Sequence, residues 1–331
     1  MSKKKIIALI ITVVLLGLIL YKINWSVLIE TFKLFDCKKI LPVAFLYIVS
    51  LYLRGIRWKA LFLNDNKYSA YNLAEIFTVG SMLNSFLPAR AGDIYRAYYL
   101  GHVKQEKKMK VFGSVILERM FDGLTVFLFL MIAVILYCKQ QWILNLTYFI
   151  GAFFISCMLF SYFIFRFNKI DWVGEKFIGI TNKMPEKIAV PIGNFITKMC
   201  EYANSFVEGF EVLCSFKYSL ITFVLSIIIW LIECYIAYLV FASFNYNLGF
   251  STSLFVISLT SFSSMIPSTS IFLGPYQYAY ILALGLYGVS KSATLAISTI
   301  HQGILMLVLT VFGGIFLLKF NAVMQDYQKK I

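Results

Sequence analysis

Long apolar stretches alternate with short polar segments along the chain. A helix needs about 20 mainly apolar residues to cross a bilayer. Stretches near or above that length predict six membrane-spanning helices, at about 6–20, 40–63, 111–137, 143–165, 218–242 and 292–318. The first of them also resembles a signal peptide, but no small-residue cleavage site follows it, which favours an uncleaved helix.

Two further apolar stretches are interrupted and do not fit complete spans. The stretch 71–87 is followed directly by Pro88. The stretch 251–290 contains three helix-breaking residues, Pro267, Gly274 and Pro275. Irregular backbone at membrane depth must be buried in protein or line a wet cavity. One such element from each face is typical of a transporter core built as an inverted repeat. We therefore predict two re-entrant or broken helices, and about eight membrane segments in all; the alternative is that 71–87 is a short complete span.

Composition supports an all-α polytopic membrane protein that forms a single integral membrane domain over residues 1–331. The chain is 60% hydrophobic and only 14% charged, with a mean hydropathy of +0.80. Soluble proteins average about 45–50% apolar and about 25% charged residues, so a soluble enzyme is excluded, and so is disorder. The six cysteines and two histidines show no metal-binding spacing, so we expect no metal and no cofactor.

The net charge of +14 is explained by basic loops on the cytoplasmic side of a membrane. Most of the 30 Lys and Arg residues fall in 64–110, in 166–217 and at the two termini, or at the span ends beside them. This distribution predicts a multi-pass protein of the cell (plasma) membrane with both termini in the cytoplasm. The expected partners are therefore membrane lipids and not nucleic acid, which a basic soluble protein would suggest.

Residues 170–215 differ from the rest because they are rich in charged and polar side chains. From Ile192 to Leu213, apolar residues recur at steps of three and four, which places them on one face of a helix. Pro191 is expected in the first turn of that helix. We predict a cytoplasmic amphipathic helical segment that lies on the membrane or packs on the bundle; a partner-binding coiled coil is the less favoured alternative.

Charged residues within or beside the spans are the strongest candidates for function, because each costs about 2.5–3.5 kcal/mol at the centre of a membrane helix. Guanidinium groups bind phosphate through two parallel hydrogen bonds. A lipid-phosphate site is therefore predicted from four arginines at helical spacing, namely Arg54, Arg57, Arg90 and Arg96. The alternatives are snorkelling of the first two to the headgroup region and a solvated basic loop for the other two.

Further charged and polar residues near these arginines are predicted to support the site or to carry a proton. They are Asn84, Asp93, Glu118, Arg119, Asp122 and Glu233. Gly92 permits close approach of the backbone next to Asp93. The alternative for the carboxylates is structural ion pairing. Glu233, which has no partner in its own helix, must be either protonated or paired across helices.

Three of these elements resemble motifs of a flippase-like membrane family. They are R-x-x-R-W at 54–58, L-P-x-R-x-G-[ED]-x-x-R at 87–96 and E-R-x-x-D at 118–122. The family includes the transmembrane region of lysylphosphatidylglycerol synthases, stand-alone UPF0104-type membrane proteins and C-terminal regions of some archaeal glycosyltransferases. The resemblance covers nearly the whole chain.

The resemblance weakens towards the C-terminus. The family has a P-G-G-x-G-x-x-E turn and then an arginine in its last span, where this chain has PSTSIFLGPYQYAY and STIHQGILML. Gln277 takes the place of the acid, and His301 or Gln302 takes that of the arginine. We therefore expect a neutral polar pair where the family has an ion pair.

The resemblance implies movement of lipids between membrane leaflets. We hypothesise a flippase or transporter for a phospholipid, an aminoacyl-phospholipid or a polyprenyl-phosphate-linked sugar. The soluble domain that makes the aminoacylated lipid is expected to be absent, so the label phosphatidylglycerol lysyltransferase should not describe this chain, and no enzymatic activity is expected. The alternatives are a non-transporting subunit or anchor for a lipid-modifying enzyme or glycosyltransferase and, less favoured, an intramembrane transferase. Homo-oligomerisation stays open.

Overall fold

The structure, a computed structural model, describes residues 24–87, 90–137, 141–167, 170–181, 186–263 and 274–328. The predicted first span at 6–20 lies outside these residues, as do the turn residues Pro88 and Pro267. Throughout the described ranges the chain is helical apart from short connections, and no strand occurs in them. The predicted all-α class is therefore confirmed.

Twelve α-helices follow one another in the described residues. The first six are α1 (Trp25–Lys33), α2 (Ile40–Leu61), α3 (Ala70–Phe86), α4 (Ala91–Val103), α5 (Lys108–Tyr137) and α6 (Gln141–Phe167). The others are α7 (Ile170–Thr181), α8 (Glu186–Glu208), α9 (Phe216–Ser243), α10 (Phe250–Ser263), α11 (Pro275–Gly285) and α12 (Lys291–Gln328). Short 3-10 helices at Cys37–Lys39 and Glu211–Cys214 precede α2 and α9.

In the described part of the chain, four helical stretches are long and apolar enough to cross a membrane. They are Cys37–Leu61, Ile143–Phe167, Phe216–Ser243 and Lys291–Phe320, which correspond to α2, α6, α9 and α12. α5 matches a fifth predicted span with 30 residues, although charged side chains interrupt its apolar sequence. The outer faces of α6 and α12 expose large apolar side chains, such as Phe149 at 72% and Leu318 at 73%. Such surfaces face lipid, and the polytopic class is confirmed.

The predicted stretch 71–87 forms one short helix, α3, which pairs with the following helix, α4, whereas the stretch 251–290 contains both α10 and α11. α3 and α4 have 17 and 13 residues, and α10 and α11 have 14 and 11. The α4 helix runs back along α3, because Gly80 lies against Arg96 while Asn84, one turn later, hydrogen bonds to Asp93. A complete span needs about 20 residues, so each pair is a hairpin within the bundle, as the broken sequence pattern predicts.

The helices form two halves with the same order, in which a long helix, a short hairpin and a second long helix follow one another. The first half is α2–α5 and the second is α9–α12. The long helices α2 and α9 pack against each other, α3 packs on α12 of the other half, and α10 packs on α5. Equivalent helices thus make equivalent contacts, as expected of an inverted repeat.

Different segments close the two ends of the bundle. At one end, which we name the α1 end, the backbone N–H of Asp36 donates to the carbonyl oxygen of Ser243 (2.9 Å). At the opposite end, the α8 end, Lys107 before α5 pairs with Glu208 at the end of α8 (2.6 Å). The α9 helix runs from the α8 end to the α1 end, so the hairpins and loops can be assigned to one end or the other.

The loop before α5 is also tied to the loop after α2 at the α8 end. Lys67 Nζ lies 2.5 Å from Glu106 Oε1. Burial alone would raise the pKa of Glu106, but hydrogen bonds from Lys67 and Tyr68 hold that pKa below its ordinary value. Glu106 is therefore ionised at neutral pH, and the link between the two loops is maintained.

The charged segment 170–215 forms two helices, α7 and α8, which pack against each other, and α8 also packs on α5. The expected position of Pro191 is corrected. α8 begins at Glu186, so Pro191 lies in its second turn and not in its first. At this position the proline removes the N–H that would bond to the carbonyl of Lys187, and its ring crowds that carbonyl.

Candidate functional site

A cavity of about 310 Å³ lies in the middle of the bundle, where the residues that flank the turns of both hairpins meet. Ser85 and Arg90 line it from the α3–α4 hairpin, and Phe262 and Tyr276 line it from the α10–α11 hairpin. Its charged lining residues are Arg54, Arg90, Arg119, Asp122 and Glu233. Transporters built as inverted repeats bind their substrates at such a junction of broken helices.

Arg54 of α2 pairs with Glu233 of α9 on the wall of this cavity. Arg54 Nη2 lies 3.1 Å from Glu233 Oε1, which also accepts a hydrogen bond of 2.7 Å from Ser50. The rings of Phe77 and Trp230 flank the guanidinium at 5.4 and 5.6 Å. Glu233 is therefore paired across helices, which is one of the two states that its isolated position in the sequence allows.

Arg57 and Arg96 lie behind the cavity wall in a buried cluster. Glu118 of α5 joins them, because its Oε1 is 3.2 Å from Arg57 Nη2 and its Oε2 is 2.6 Å from Arg96 Nη2. Arg57 also contacts both carboxylate oxygens of Asp122. The Arg96 guanidinium stacks 4.1 Å from the ring centre of Trp58. Since the Arg57, Arg96 and Glu118 side chains are 0% exposed, this cluster holds α2, α4 and α5 together.

An unusual backbone conformation at the hairpin tip places Arg90 at the cavity. Arg90 has a left-handed φ of 53° directly before α4. Gly92 approaches Gly80 so closely that a Cβ on Gly92 would collide with the Gly80 carbonyl oxygen. Asn84 fixes the same turn, because its side chain donates to Asp93 Oδ1 (3.0 Å) and accepts from the Asp93 N–H (3.3 Å). The structure thus brings together the polar residues and Gly92 that the sequence singled out around 84–93.

Arginine and carboxylate side chains gather around the cavity in nearly equal numbers. Arg119 completes the cluster with Nη2 3.0 Å from Asp93 Oδ1. Among the described residues, five guanidinium groups, Arg54, Arg57, Arg90, Arg96 and Arg119, stand against four carboxylates, Asp93, Glu118, Asp122 and Glu233. Guanidinium groups that line a cavity suit the binding of an anion such as a phosphate.

The second hairpin brings uncharged polar groups to the site. Just before α11 starts at Pro275, the Gly274 N–H donates to Gln277 Oε1 (2.9 Å), and Gln277 Nε2 donates to Gln302 Oε1 of α12 (2.6 Å). The neutral pair expected here is therefore Gln277 with Gln302 and not with His301. Successive residues of a helix point about 100° apart, so His301 faces other neighbours.

The family model described as "Lysylphosphatidylglycerol synthase TM region" matches residues 5–313 of the sequence. The chain belongs to this family. Among its relatives, the UPF0104 membrane protein MJ1078 of Methanocaldococcus jannaschii is 28% identical over 233 residues, which cover 70% of this chain and 92% of the relative. The UPF0104 membrane protein PH1989 of Pyrococcus horikoshii is 24% identical over 335 residues, which cover 96% and 97%.

Similarity to an enzyme is confined to a smaller part of this chain. The glycosyltransferase AglD of Haloferax volcanii is 32% identical over 120 residues, which cover 36% of this chain and 19% of that protein. No solved structure matches the chain significantly.

In this member of the lysylphosphatidylglycerol synthase TM region family, the predicted phosphate ligands fall into two places. Arg54 and Arg90 line the cavity, whereas Arg57 and Arg96 lie outside its lining. Arg119, predicted only as a supporting residue, lines the cavity as well. The described residues contain no group of three or more His, Cys, Asp or Glu side chains placed to bind a metal ion.

Sequence reasoning missed two α9 residues that complete the cluster in this family member. Trp230 Nε1 donates to Asp122 Oδ1 (2.8 Å), and Ser226 Oγ accepts from Arg57 Nη1 (2.9 Å). A signal was present, because Ser226, Trp230 and Glu233 recur at steps of four and three and so share one helix face. The face that carries a carboxylate within an apolar span marks the interior of the bundle.

Proposed function

We propose that this protein moves an anionic membrane lipid between leaflets and binds the lipid phosphate in the central cavity. The observation that carries this proposal is the convergence of three arginines on the cavity at the junction of the two hairpins. Arg54, Arg90 and Arg119 line the cavity and would donate charge-assisted hydrogen bonds to the phosphate oxygens. Arg57 and Arg96 would act indirectly, by fixing the helices that carry the other three arginines.

The two-half architecture supports a route for this movement. Since α3 packs on α12 and α10 packs on α5, tilting of either hairpin with its partner helix would open the cavity to one leaflet at a time. The head group would cross inside the cavity while the acyl chains stay in the surrounding lipid. Candidate cargoes are a phospholipid, an aminoacyl-phospholipid and a polyprenyl-phosphate-linked sugar.

Arg90→Gln is expected to slow lipid movement at least about tenfold, because one charge-assisted hydrogen bond contributes about 1.5–3 kcal/mol. The variant removes a cation from the cavity but keeps a polar, although shorter, side chain. The purified protein would be reconstituted in liposomes with fluorescently labelled phosphatidylglycerol. The rate of lipid movement is measured as the rate at which fluorescent label in the inner leaflet becomes accessible to a quencher added outside the liposomes.

Arg166→Gln provides the matched control, since Arg166 is exposed at the end of α6 and does not line the central cavity. It should transport at the wild-type rate. Both variants should elute as single species in size-exclusion chromatography, which separates loss of function from loss of fold. Equal rates for Arg90→Gln and the wild type would contradict the phosphate site.

We also propose that the α8 end faces the cytoplasm of a plasma-membrane protein and that the α1 end faces outward. The basis is the positive-inside distribution of Lys and Arg, since Lys67, Lys107 and Lys110 all lie at the α8 end. This orientation would place both termini in the cytoplasm and α7–α8 at the inner surface of the membrane.

Two native cysteines test this orientation, because Cys37 is exposed at the α1 end and Cys214 is exposed at the α8 end. Variants that retain only Cys37 or only Cys214 of the six cysteines would be treated with a membrane-impermeant maleimide on intact cells. We expect labelling of Cys37 before lysis and of Cys214 only after permeabilisation. The opposite order would reverse the proposed topology, and labelling of both cysteines on intact cells would refute it.

A second candidate function is a membrane subunit that anchors a lipid-modifying enzyme or glycosyltransferase. It is favoured by an apolar cleft of about 910 Å³ formed by α5, α6, α7 and α8, and by exposed apolar side chains there, such as Phe195 at 65% and Met199 at 50%. The partial similarity to AglD points in the same direction. If this candidate is correct, a stoichiometric partner protein co-purifies with the wild type in mild detergent and is lost from the Phe195→Glu variant. Lipid movement by the purified protein alone supports the first candidate instead.

A further inference from the structure

The apolar cleft between α5, α6, α7 and α8 lies away from the central cavity, at the α8 end of the molecule. Its volume of about 910 Å³ is near the upper end of the range of about 300–1,000 Å³ that is usual for ligand pockets. The α6 helix runs back along α5, with Gly151 against Phe127 and Ser161 against Met120. Since α5 begins at the α8 end, the last turns of α6 and the cleft beside them lie at that end too.

The lining of this cleft is a hydrocarbon surface. No charged side chain contributes to it in the described part of the chain. The hydroxyl of Ser161 already donates to the carbonyl oxygen of Cys157 (2.8 Å), and the thiol of Cys200 lies 3.9 Å from the carbonyl oxygen of Ile170. A polar ligand would lose its hydrogen bonds to water on entering such a site. The cleft therefore suits an apolar chain.

One wall of the cleft continues the lipid-facing surface of α6. Phe149, Phe153, Phe160, Phe163 and Phe167 follow one another at steps of 4, 7, 3 and 4, which places them on one face of the helix. All five rings are exposed, and the last three line the cleft. Since α6 is long and apolar enough to cross a membrane, the lipid that covers the first two rings also reaches the other three. The cleft is therefore a side branch of the hydrocarbon region of the bilayer.

The α7 and α8 helices cover the cleft on the side that faces water. In α7, Val173 and Phe177 line the cleft, whereas Asp171, Glu175 and Lys176 are exposed on the remaining faces. The α8 helix likewise has one face in the cleft and exposed charged side chains elsewhere. Helices with one apolar and one charged face lie in the plane of the membrane interface. A ligand of the cleft must therefore enter sideways, from the bilayer.

We infer that this cleft binds an acyl chain of a phospholipid from the leaflet at the α8 end, while the head group stays outside. The α6 wall from Phe160 to Phe167 is about 10 Å long at 1.5 Å per residue. One leaflet contributes half of the hydrocarbon core of about 30 Å, so this wall fits within a single leaflet. A soluble partner protein cannot reach the wall, because its phenyl rings lie at membrane depth. The site is separate from the central cavity and does not depend on the proposed transport.

A photoreactive phospholipid tests this site. The full-length protein would be reconstituted in liposomes with a trace of phosphatidylglycerol that carries a diazirine in the middle of one acyl chain, and mass spectrometry would locate the attached lipid after illumination. We expect label on Ile116 and Met120, the half-buried residues that α5 contributes to the cleft. Any surrounding lipid should label Phe149 and Phe153. Photoreactive phosphatidylcholine should label the same residues, because no described charged side chain lines the cleft.

Two substitutions would fill the cleft from different walls. Ala203→Trp places an indole in it from α8, and Val173→Trp does so from α7. Both variants should lose the label on Ile116 and Met120 and keep the label on the outer face of α6. That outer label shows that each variant is still inserted in the bilayer, and elution as a single species in size-exclusion chromatography shows that it is folded.

Thr197→Trp is the matched control, since Thr197 is exposed on α8 and does not line the cleft. It should be labelled on α5 like the wild type. Equal labelling of α5 in the control and in both filled variants would overturn the inference, and so would the absence of α5 label from the wild type. A co-purifying protein that shields the α5 residues from the photoreactive lipid would also overturn it and would favour the anchoring subunit instead.

Discussion

Glu118→Ala is expected to lower the free energy of unfolding by about 3–5 kcal/mol, the effect of removing one partner from a buried ion pair. Glu118 contacts Arg57 at 3.2 Å and Arg96 at 2.6 Å, and all three side chains are 0% exposed. Its removal leaves two guanidinium groups buried with less compensation. The loss of stability would be measured by heating the detergent-solubilised protein and recording, at each temperature, the fraction that stays monodisperse.

Glu208→Ala is the control for this substitution. Glu208 also pairs with a cation, Lys107, but the two side chains are 40% and 61% exposed. Exposed ion pairs contribute about 0–1 kcal/mol, so the melting temperature should change little. If the two substitutions had the same small effect, the buried cluster would not be what holds α2, α4 and α5 together.

Gly92→Ala is expected to cost about 1–3 kcal/mol of stability, the usual effect of forcing an extra methyl group into a closely packed site. The added Cβ would collide with the carbonyl oxygen of Gly80 and lie 2.8 Å from Asn84 Oδ1. The helices α3 and α4 must move apart to relieve this clash. That movement displaces Arg90, which lies two residues before Gly92. Lipid movement should therefore fall even in the fraction of protein that remains folded.

Gly303→Ala adds the same methyl group to the interior of α12, where no atom apart from the adjoining helix backbone lies within 4 Å of the new Cβ. Replacing glycine by alanine in an open helix position stabilises it by up to about 1 kcal/mol. This variant should keep both the wild-type melting temperature, or a slightly higher one, and the wild-type transport rate. Similar losses in both glycine variants would argue against a specific role for the close approach of α3 and α4.

Much of the fold could be predicted because apolar length and helix-breaking residues are local properties of the sequence. The predicted span at 40–63 appears as Ile40–Leu61, and that at 218–242 appears as Phe216–Ser243. The last helix continues to Gln328, beyond the predicted end at 318. Its polar extension was not predicted, because apolar periodicity marks only the part of a helix that contacts lipid or core.

The assignment of arginines to the cavity could not be predicted in the same way. Arg54 and Arg57 share a helix face by their spacing, yet only Arg54 lines the cavity. The difference arises from partners on distant helices, Glu233 for Arg54 and Asp122 for Arg57. Spacing within one helix specifies the face on which a side chain lies, whereas tertiary packing decides which neighbour that face meets.

The long-range ion pairs of α2 impose an order on biogenesis. The partner of Arg57, Asp122, is synthesised 65 residues later, and that of Arg54, Glu233, follows 179 residues later. The α2 segment therefore reaches the insertion machinery with two cations whose acidic partners do not yet exist. A charge costs about 2.5–3.5 kcal/mol at a helix centre, and long side chains near a helix end snorkel towards the interface, so Arg54 and Arg57 cost less than that value until their partners are made. A nascent chain that ends before α9 would lack the carboxylate that pairs with Arg54.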